Sequence, residues 1–135
     1  TDTRCWLQPR AIKALAQAQK KLAEQHFRLV MWDCARPHSV QEKMWRILPD
    51  SRYVANPKTG SRHNTGLAVD VSLADESGVV LAMQTEFDDF TVAAHRKNPH
   101  SDPFIQQRVT ALTNAMQMAG FYALPTEWWH FDLRQ

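Results

Sequence analysis

Two residue types that bind metal ions, His63 and Asp70, lie close together in the stretch SRHNTGLAVDVSL, residues 61–73. The alternation that begins after Gly66 predicts a half-buried strand, with Leu67, Val69, Val71 and Leu73 on one face and Asp70 on the other. His63 lies in the approach to this strand, where a turn can fold its ring toward the carboxylate. On these residues alone, both a His–Asp hydrogen bond on a loop and a pair of metal ligands remain open.

A second pair, Glu127 and His130, lies in the motif EWWHF near the end of the sequence. Together with His63 and Asp70, His130 completes a set of two His and one carboxylate, which binds zinc and leaves a fourth position for water. Such a metal lowers the pKa of that water, and an unligated Glu127 can accept its proton. We expect the two Trp residues of the motif to pack in the core. The alternative to a metal site is that they do only this and that His130 is a satisfied polar residue.

These motifs resemble the zinc D-alanyl-D-alanine dipeptidase family. SRHNTGLAVD matches the pattern S-x-H-x-x-G-x-A-x-D, and EWWH matches E-x-W-H. WDCARP and the double Trp resemble the branch that includes the dipeptidase of vancomycin resistance. The family shares its fold with D,D-carboxypeptidases, lysostaphin-type enzymes and the Hedgehog signalling domain. The likeness extends from about Trp32 to Phe131, and it implies one catalytic domain over residues 1–135.

The resemblance implies a role for each matching residue. It implies one zinc ion per chain, bound by His63, Asp70 and His130, with Glu127 as the general base. Arg36 of WDCARP is implied to stabilise the oxyanion, and a guanidinium suits that task because it is always charged and offers several donors. As an alternative, Arg36 binds a structural carboxylate.

Substrate recognition is implied at two further positions. Asp88 in MQTEFDDF matches a residue that anchors the free amino group of the substrate, and Ser61 matches one that lines the same end. The competing interpretation of Asp88 is a plain carboxylate at a helix start.

The chain departs from the family pattern at three positions. Cys34 and Ala35 stand where a Gly and an aromatic residue are usual, and Gln84 follows Met83 where the family has Gly. The sequence is also shorter at both ends than the vancomycin-resistance enzyme, which predicts a more open cleft.

The pattern of apolar residues predicts an α+β fold with a small, mostly antiparallel sheet flanked by helices. Helices are expected over residues 8–26, from Ser39 to about Leu48, and over 102–120, where Asp102 caps the helix and Gly120 ends it. Strands are expected at 27–33, 66–73, 79–83, 121–125 and 129–133, with 66–73 and 79–83 forming a hairpin and a long loop at 49–63.

Composition excludes two classes of partner. Lys and Arg number 16 against 14 for Asp and Glu, so the net charge is +2, and no long basic run favours nucleic acid. No apolar run approaches the ~20 residues of a membrane span. The two cysteines, Cys5 and Cys34, are either buried thiols or one disulfide, and a disulfide would indicate an oxidising compartment.

The leading hypothesis is therefore a bacterial zinc metallopeptidase that hydrolyses the small D-alanyl-D-alanine dipeptide in cell-wall turnover. The alternatives are a D,D-carboxypeptidase or endopeptidase acting on longer wall peptides, and a zinc-stabilised binding module without activity. Unligated Glu127 and Arg36 favour catalysis, because a structural metal needs neither. The expected compartment is the periplasm, with the cytoplasm as the alternative, and the sequence predicts no oligomeric state.

Overall fold

Among the described residues, two α-helices pack against the hydrophobic core on one face of the sheet, and a single 3-10 turn spans Val92–Ala94. The computed structural model describes residues 7–33, 66–86, 89, 91–98 and 100–133. Helix α1 spans Pro9–Ala23 and helix α2 spans Pro103–Met118, each with proline in its first turn, where the missing N–H costs nothing. The predicted helix 8–26 ends early, because the chain turns at His26, whose φ of 67° lies in the left-handed region.

In the described part of the chain, four strands form one antiparallel sheet. Strand β1 spans Phe27–Asp33, β2 Ala68–Asp75, β3 Tyr122–Ala123 and β4 His130–Asp132. Their order across the sheet is β1-β2-β4-β3. The predicted α+β class with an antiparallel sheet is thus confirmed.

Strand β2 is central and is buried on both faces, from Ala68 to Ala74. One face, with Val69, Val71 and Leu73, joins the hydrophobic core that also contains the buried side of α1 and α2. The other face carries Asp70 and Ser72, which are buried polar residues. The sheet therefore separates an apolar core on one face from a buried polar region on the other.

The predicted hairpin partner of β2 forms only a single bridge. Ala74 pairs with Val80, and Leu81 N–H donates to the carbonyl of Leu73 at 2.9 Å. Continuing this register would place residue 83 opposite Val71, but Val71 N–H already donates to the carbonyl of Trp129 at 2.9 Å. The C-terminal segment occupies that stretch of the edge, so the predicted strand at 79–83 is wrong beyond the bridge.

Two predicted elements, the helix from Ser39 to about Leu48 and the loop 49–63, lie outside the described residues. In the part of the chain that the structure describes, no helix has the length and apolar character needed to cross a lipid bilayer.

Candidate metal centre

The registers of β2 and β4 bring two of the predicted metal ligands together. Asp70 lies directly opposite His130 in the antiparallel ladder, so both side chains project from the same face of the sheet. His130 Nδ1 lies 2.9 Å from Asp70 Oδ1. Their positions follow from strand pairing, because alternation along each strand fixes which residues share a face.

Glu127 reaches the same point from the loop that precedes β4. Its Oε1 lies 3.9 Å from His130 Nδ1. The loop turns tightly, since Glu127 N–H donates to the carbonyl of Leu124 and His130 N–H donates to the carbonyl of Glu127, both at 3.4 Å. One atom from each of Asp70, Glu127 and His130 lies within 4.8 Å of the others.

The two Trp residues of the motif hold this loop against the core. Trp128 and Trp129 are each 1% exposed, and their rings meet edge to face with centroids 5.5 Å apart. The Trp128 indole N–H donates to Thr85 Oγ1 at 2.9 Å. The prediction that both Trp residues pack in the core is confirmed, and this packing leaves the carboxylate of Glu127 facing His130.

The chemistry of the donor set fits a divalent cation. Asp70, Glu127 and His130 are all buried, and two buried carboxylates are costly without a compensating positive charge. Burial lowers the pKa of His130, but the hydrogen bonds to Asp132 and Asp70 and the negative charges of Asp70 and Glu127 outweigh it and raise that pKa to about 9. The site therefore favours positive charge at the position that the donor atoms share.

Asp132 lies on the other side of the His130 ring. His130 Nε2 lies 3.6 Å from Asp132 Oδ1, while Nδ1 faces Asp70 and Glu127. A carboxylate behind a ligating imidazole fixes the ring orientation and raises the basicity of the ligating nitrogen. Nδ1 is therefore the nitrogen that faces the position shared by Asp70 and Glu127.

A half-buried guanidinium lies behind the loop. Arg96 Nε donates to the carbonyl of Leu124 at 2.7 Å, and Nη2 donates to the carbonyl of His130 at 3.0 Å. Burial lowers the pKa of Arg96 to about 10, with the charge of Glu127 acting in the opposite direction. Arg96 stays cationic at neutral pH and contributes positive potential near Glu127.

The other predicted site residues lie outside the described residues. They are the predicted third metal ligand His63, the predicted oxyanion-stabilising residue Arg36, the two residues predicted to bind the amino end of the substrate, Asp88 and Ser61, and the cysteines Cys5 and Cys34. Their roles stay predictions.

Arg96 and Asp132 were not predicted from the sequence as residues of the site. The acceptors of Arg96 are carbonyls 28 and 34 positions along the chain, which no local motif reveals. The sequence contained a weak indication for Asp132. It lies two positions after the candidate ligand His130 on a predicted strand, and residues two apart on a strand share a face.

The fold and this group of side chains indicate a class of protein: one with a possible metal site between neighbouring antiparallel strands. A comparison with protein families agrees, because the D-ala-D-ala dipeptidase model of peptidase family M15 matches residues 1–135. The chain belongs to this family of metal-dependent peptidases, as the sequence motifs predicted.

Individual relatives give the same result. The D-alanyl-D-alanine dipeptidase of Escherichia coli is 36% identical over 134 residues, which cover 99% of this chain and 69% of the relative. The enzyme of the same name from Enterococcus faecium is 26% identical over 144 residues, covering 90% of this chain and 70% of the relative.

Two solved structures share the fold. The L-Ala D-Glu endopeptidase of Serratia marcescens superimposes with a TM-score of 0.55 at 21% identity, covering 95% of this chain and 80% of the endopeptidase. An LD-carboxypeptidase gives a TM-score of 0.56 at 21% identity, with 98% and 68% covered.

Proposed function

We propose that this chain hydrolyses the D-alanyl-D-alanine dipeptide with one zinc ion per chain. Membership of the dipeptidase family and the 36% identity to the E. coli enzyme support the reaction and the substrate. The observation that carries the proposal is the buried carboxylate of Glu127, 3.9 Å from His130 Nδ1. A carboxylate in that position lies within reach of a water held at the donor atoms of Asp70 and His130.

Asp70 and His130 would hold the metal, with His63 proposed as the third ligand. Imidazole nitrogens and one carboxylate are donors that suit zinc and leave a coordination position open. The bound metal would lower the pKa of a water molecule and polarise the carbonyl of the scissile bond.

The protein side chains would move the proton and stabilise the developing charge. Glu127 would accept a proton from the attacking water at a carboxylate oxygen and return it to the leaving amine nitrogen, so the peptide bond breaks with net addition of one water. Arg36 is proposed to donate hydrogen bonds to the oxyanion as it forms.

A dipeptidase also needs a group that recognises the free amino end of its substrate. Asp88 is proposed to bind the substrate ammonium, and Ser61 to line the same end. An anchor at a fixed distance from the metal would select a two-residue substrate, because a longer peptide has no ammonium group at that position.

The test is release of free D-alanine from D-Ala-D-Ala by the zinc-loaded protein and by Glu127→Gln. The variant keeps the size of the side chain but cannot accept the proton, so kcat is expected to fall by roughly 10²–10⁴-fold. The matched control is Glu76→Gln, the same change at an exposed carboxylate that contacts His26 at 3.1 Å, and it should keep wild-type kcat. An unchanged kcat in Glu127→Gln would exclude Glu127 as the base.

N-acetyl-D-Ala-D-Ala, run beside the dipeptide, tests the amine anchor. Hydrolysis of D-Ala-D-Ala but not of the acetylated substrate would support the proposed dipeptidase activity and the amine anchor. Preferred hydrolysis of the blocked substrate would contradict it and indicate a carboxypeptidase acting on longer peptides. Metal binding without turnover of either substrate would also contradict it and leave a non-catalytic module.

We propose the periplasm as the site of action, because D-Ala-D-Ala from wall turnover would be recovered there. Fractionation of the producing cell tests this, and recovery of the full-length protein in the cytoplasmic fraction would overturn it.

A further inference from the structure

We propose that Arg96 is a positioning residue for the reaction: its guanidinium fixes the loop 124–130 so that Glu127 and His130 keep their relative placement. Neither the motifs of the sequence nor the family resemblance assigns a role to Arg96. The inference rests on the proposed roles of Glu127 and His130. The experiment is chosen so that failure of the proposed function and failure of this inference give different results.

The contacts of Arg96 close the loop at both of its ends. The guanidinium donates to the carbonyl of Leu124 at 2.7 Å and to the carbonyl of His130 at 3.0 Å. The backbone N–H of Arg96 donates to the carbonyl of Pro125 at 2.9 Å. Three donors of one residue therefore bind the segment that carries the proposed base and a proposed metal ligand.

The guanidinium makes two further contacts, with α2 and with the ring of Phe131. Nη1 donates to Thr113 Oγ1 of α2 at 3.1 Å, and the guanidinium carbon lies 4.6 Å from the centroid of the Phe131 ring. Arginine suits this position because its planar group offers several donors in fixed directions while its face stacks on an aromatic ring. The loop is thereby linked to α2 and to β4 through one side chain.

Gln84 in turn holds the segment from which Arg96 projects. Its buried Nε2 lies 2.7 Å from the carbonyl oxygens of both Ala93 and His95, and 3.0 Å from that of Asn98. These carbonyls flank Arg96 on both sides. Gln84 also stands where the family pattern has Gly. A glycine has no side chain, so it could not donate to these carbonyls as the glutamine amide does.

Fixing this loop matters because both groups must be placed together. Glu127 lies inside this loop and His130 ends it as the first residue of β4, and their carboxylate and imidazole are 3.9 Å apart. A displacement of about 1 Å at a reacting group can cost on the order of 10²-fold in rate. Releasing the carbonyls of Leu124 and His130 would allow such a displacement without removing any reacting group.

The experiment compares Arg96→Met and Arg96→Lys with the control Arg108→Gln. Arg108 also donates to a backbone carbonyl, that of Ala82 at 3.0 Å, but does so from a partly exposed position on α2. Three measurements are made on each protein: the kinetics with D-Ala-D-Ala, which give kcat and KM, the affinity for zinc, and the visible absorption spectrum of the Co²⁺-loaded protein.

We expect Arg96→Met to lower kcat by roughly 10²-fold with KM changed less than about threefold, and to alter the Co²⁺ spectrum. Arg96→Lys restores one donor and should recover part of kcat. Arg108→Gln should match the wild type in all three measurements. A structural role alone would reduce the active fraction without changing the spectrum of the folded protein.

Wild-type kcat and an unchanged Co²⁺ spectrum in Arg96→Met would overturn the inference. If Arg96→Met does not fold, Arg96→Lys provides the test. Wild-type kcat and an unchanged spectrum in that variant would overturn the inference, because they would show that the two guanidinium donors to Leu124 and His130 are not needed. If the wild type does not hydrolyse D-Ala-D-Ala at all, the proposed function fails, but a Co²⁺ spectrum altered by Arg96→Lys and not by Arg108→Gln would still support the positioning role.

Discussion

Asp70 and His130 are separated by 60 positions in the sequence, yet their side chains meet at 2.9 Å because β2 and β4 are neighbours in the sheet. What each side chain does there depends on its surroundings. Burial alone would keep His130 neutral, but the nearby carboxylates reverse that preference. In the metal-free protein a proton on His130 would provide the positive charge that the proposed metal would supply when bound.

This reversal predicts how the stability of the metal-free protein depends on pH. The pKa of His130 in the folded protein, about 9, lies above its ordinary value of 6.5. A raised folded-state pKa contributes stability that is fully present below about pH 6.5 and is lost as the pH rises through 9. The free energy of unfolding of the metal-free protein should therefore fall between pH 7 and pH 10, as measured by urea denaturation.

His130→Gln should remove that contribution, and the control His26→Gln should retain it. His26 is an exposed histidine that also contacts a carboxylate, that of Glu76 at 3.1 Å. A wild-type stability that does not fall across this pH range would contradict the assigned direction of the His130 pKa.

At the scale of elements, helix boundaries were predicted where side chains act locally. Asp102 accepts a hydrogen bond from Phe104 N–H at 2.9 Å, and Gly120 adopts a φ of 105° just beyond the end of α2. Both features are properties of a few consecutive residues, so the sequence located this helix. The end of α1 was predicted too late, because no glycine or proline there signals the turn at His26.

The N-cap of α2 allows a test of this local account. Asp102→Ala should lower the free energy of unfolding by about 1 kcal/mol, because Phe104 N–H loses its acceptor. Urea denaturation measures the change, and Asp102→Asn should retain most of the stability because the amide oxygen can accept the same bond. Equal losses in both variants would show that the cap is not the cause.

Pairing between strands was harder to predict than the strands themselves. Strand β1 was predicted with its observed bounds, and strands β3 and β4 lie within the predicted stretches, but the partners of β2 were assigned wrongly beyond one bridge. The sequence favoured the hairpin because consecutive strands often pair. The edge of β2 was instead taken by the segment around Trp129 and by β4, which arrive from far along the chain.

At the scale of the whole molecule, the metal is expected to stabilise the fold. Asp70 on β2 and His130 on β4 would be joined through the ion, so it binds the folded chain and not the unfolded one. At a free metal concentration 100 times the Kd, the gain is about 2.7 kcal/mol.

The melting temperature should therefore rise with zinc concentration and fall again when a chelator is added. Asp70→Asn should abolish most of the rise, while Glu76→Gln, at an exposed carboxylate, should keep it. Differential scanning calorimetry across a zinc titration makes the comparison, and a melting temperature independent of zinc would contradict a metal shared between the two strands.

The sequence by itself determined the family, the α+β class and the identities of the candidate ligands, because those depend on residue types at short spacing. His63 with Asp70, and Glu127 with His130, are each local patterns. The tertiary structure decided that Asp70 and His130 face each other, that their surroundings favour a cation, and that Arg96 binds the loop from behind. These depend on strand register, on burial and on backbone carbonyls distant in the chain, and none of the three is encoded at a fixed spacing in the sequence.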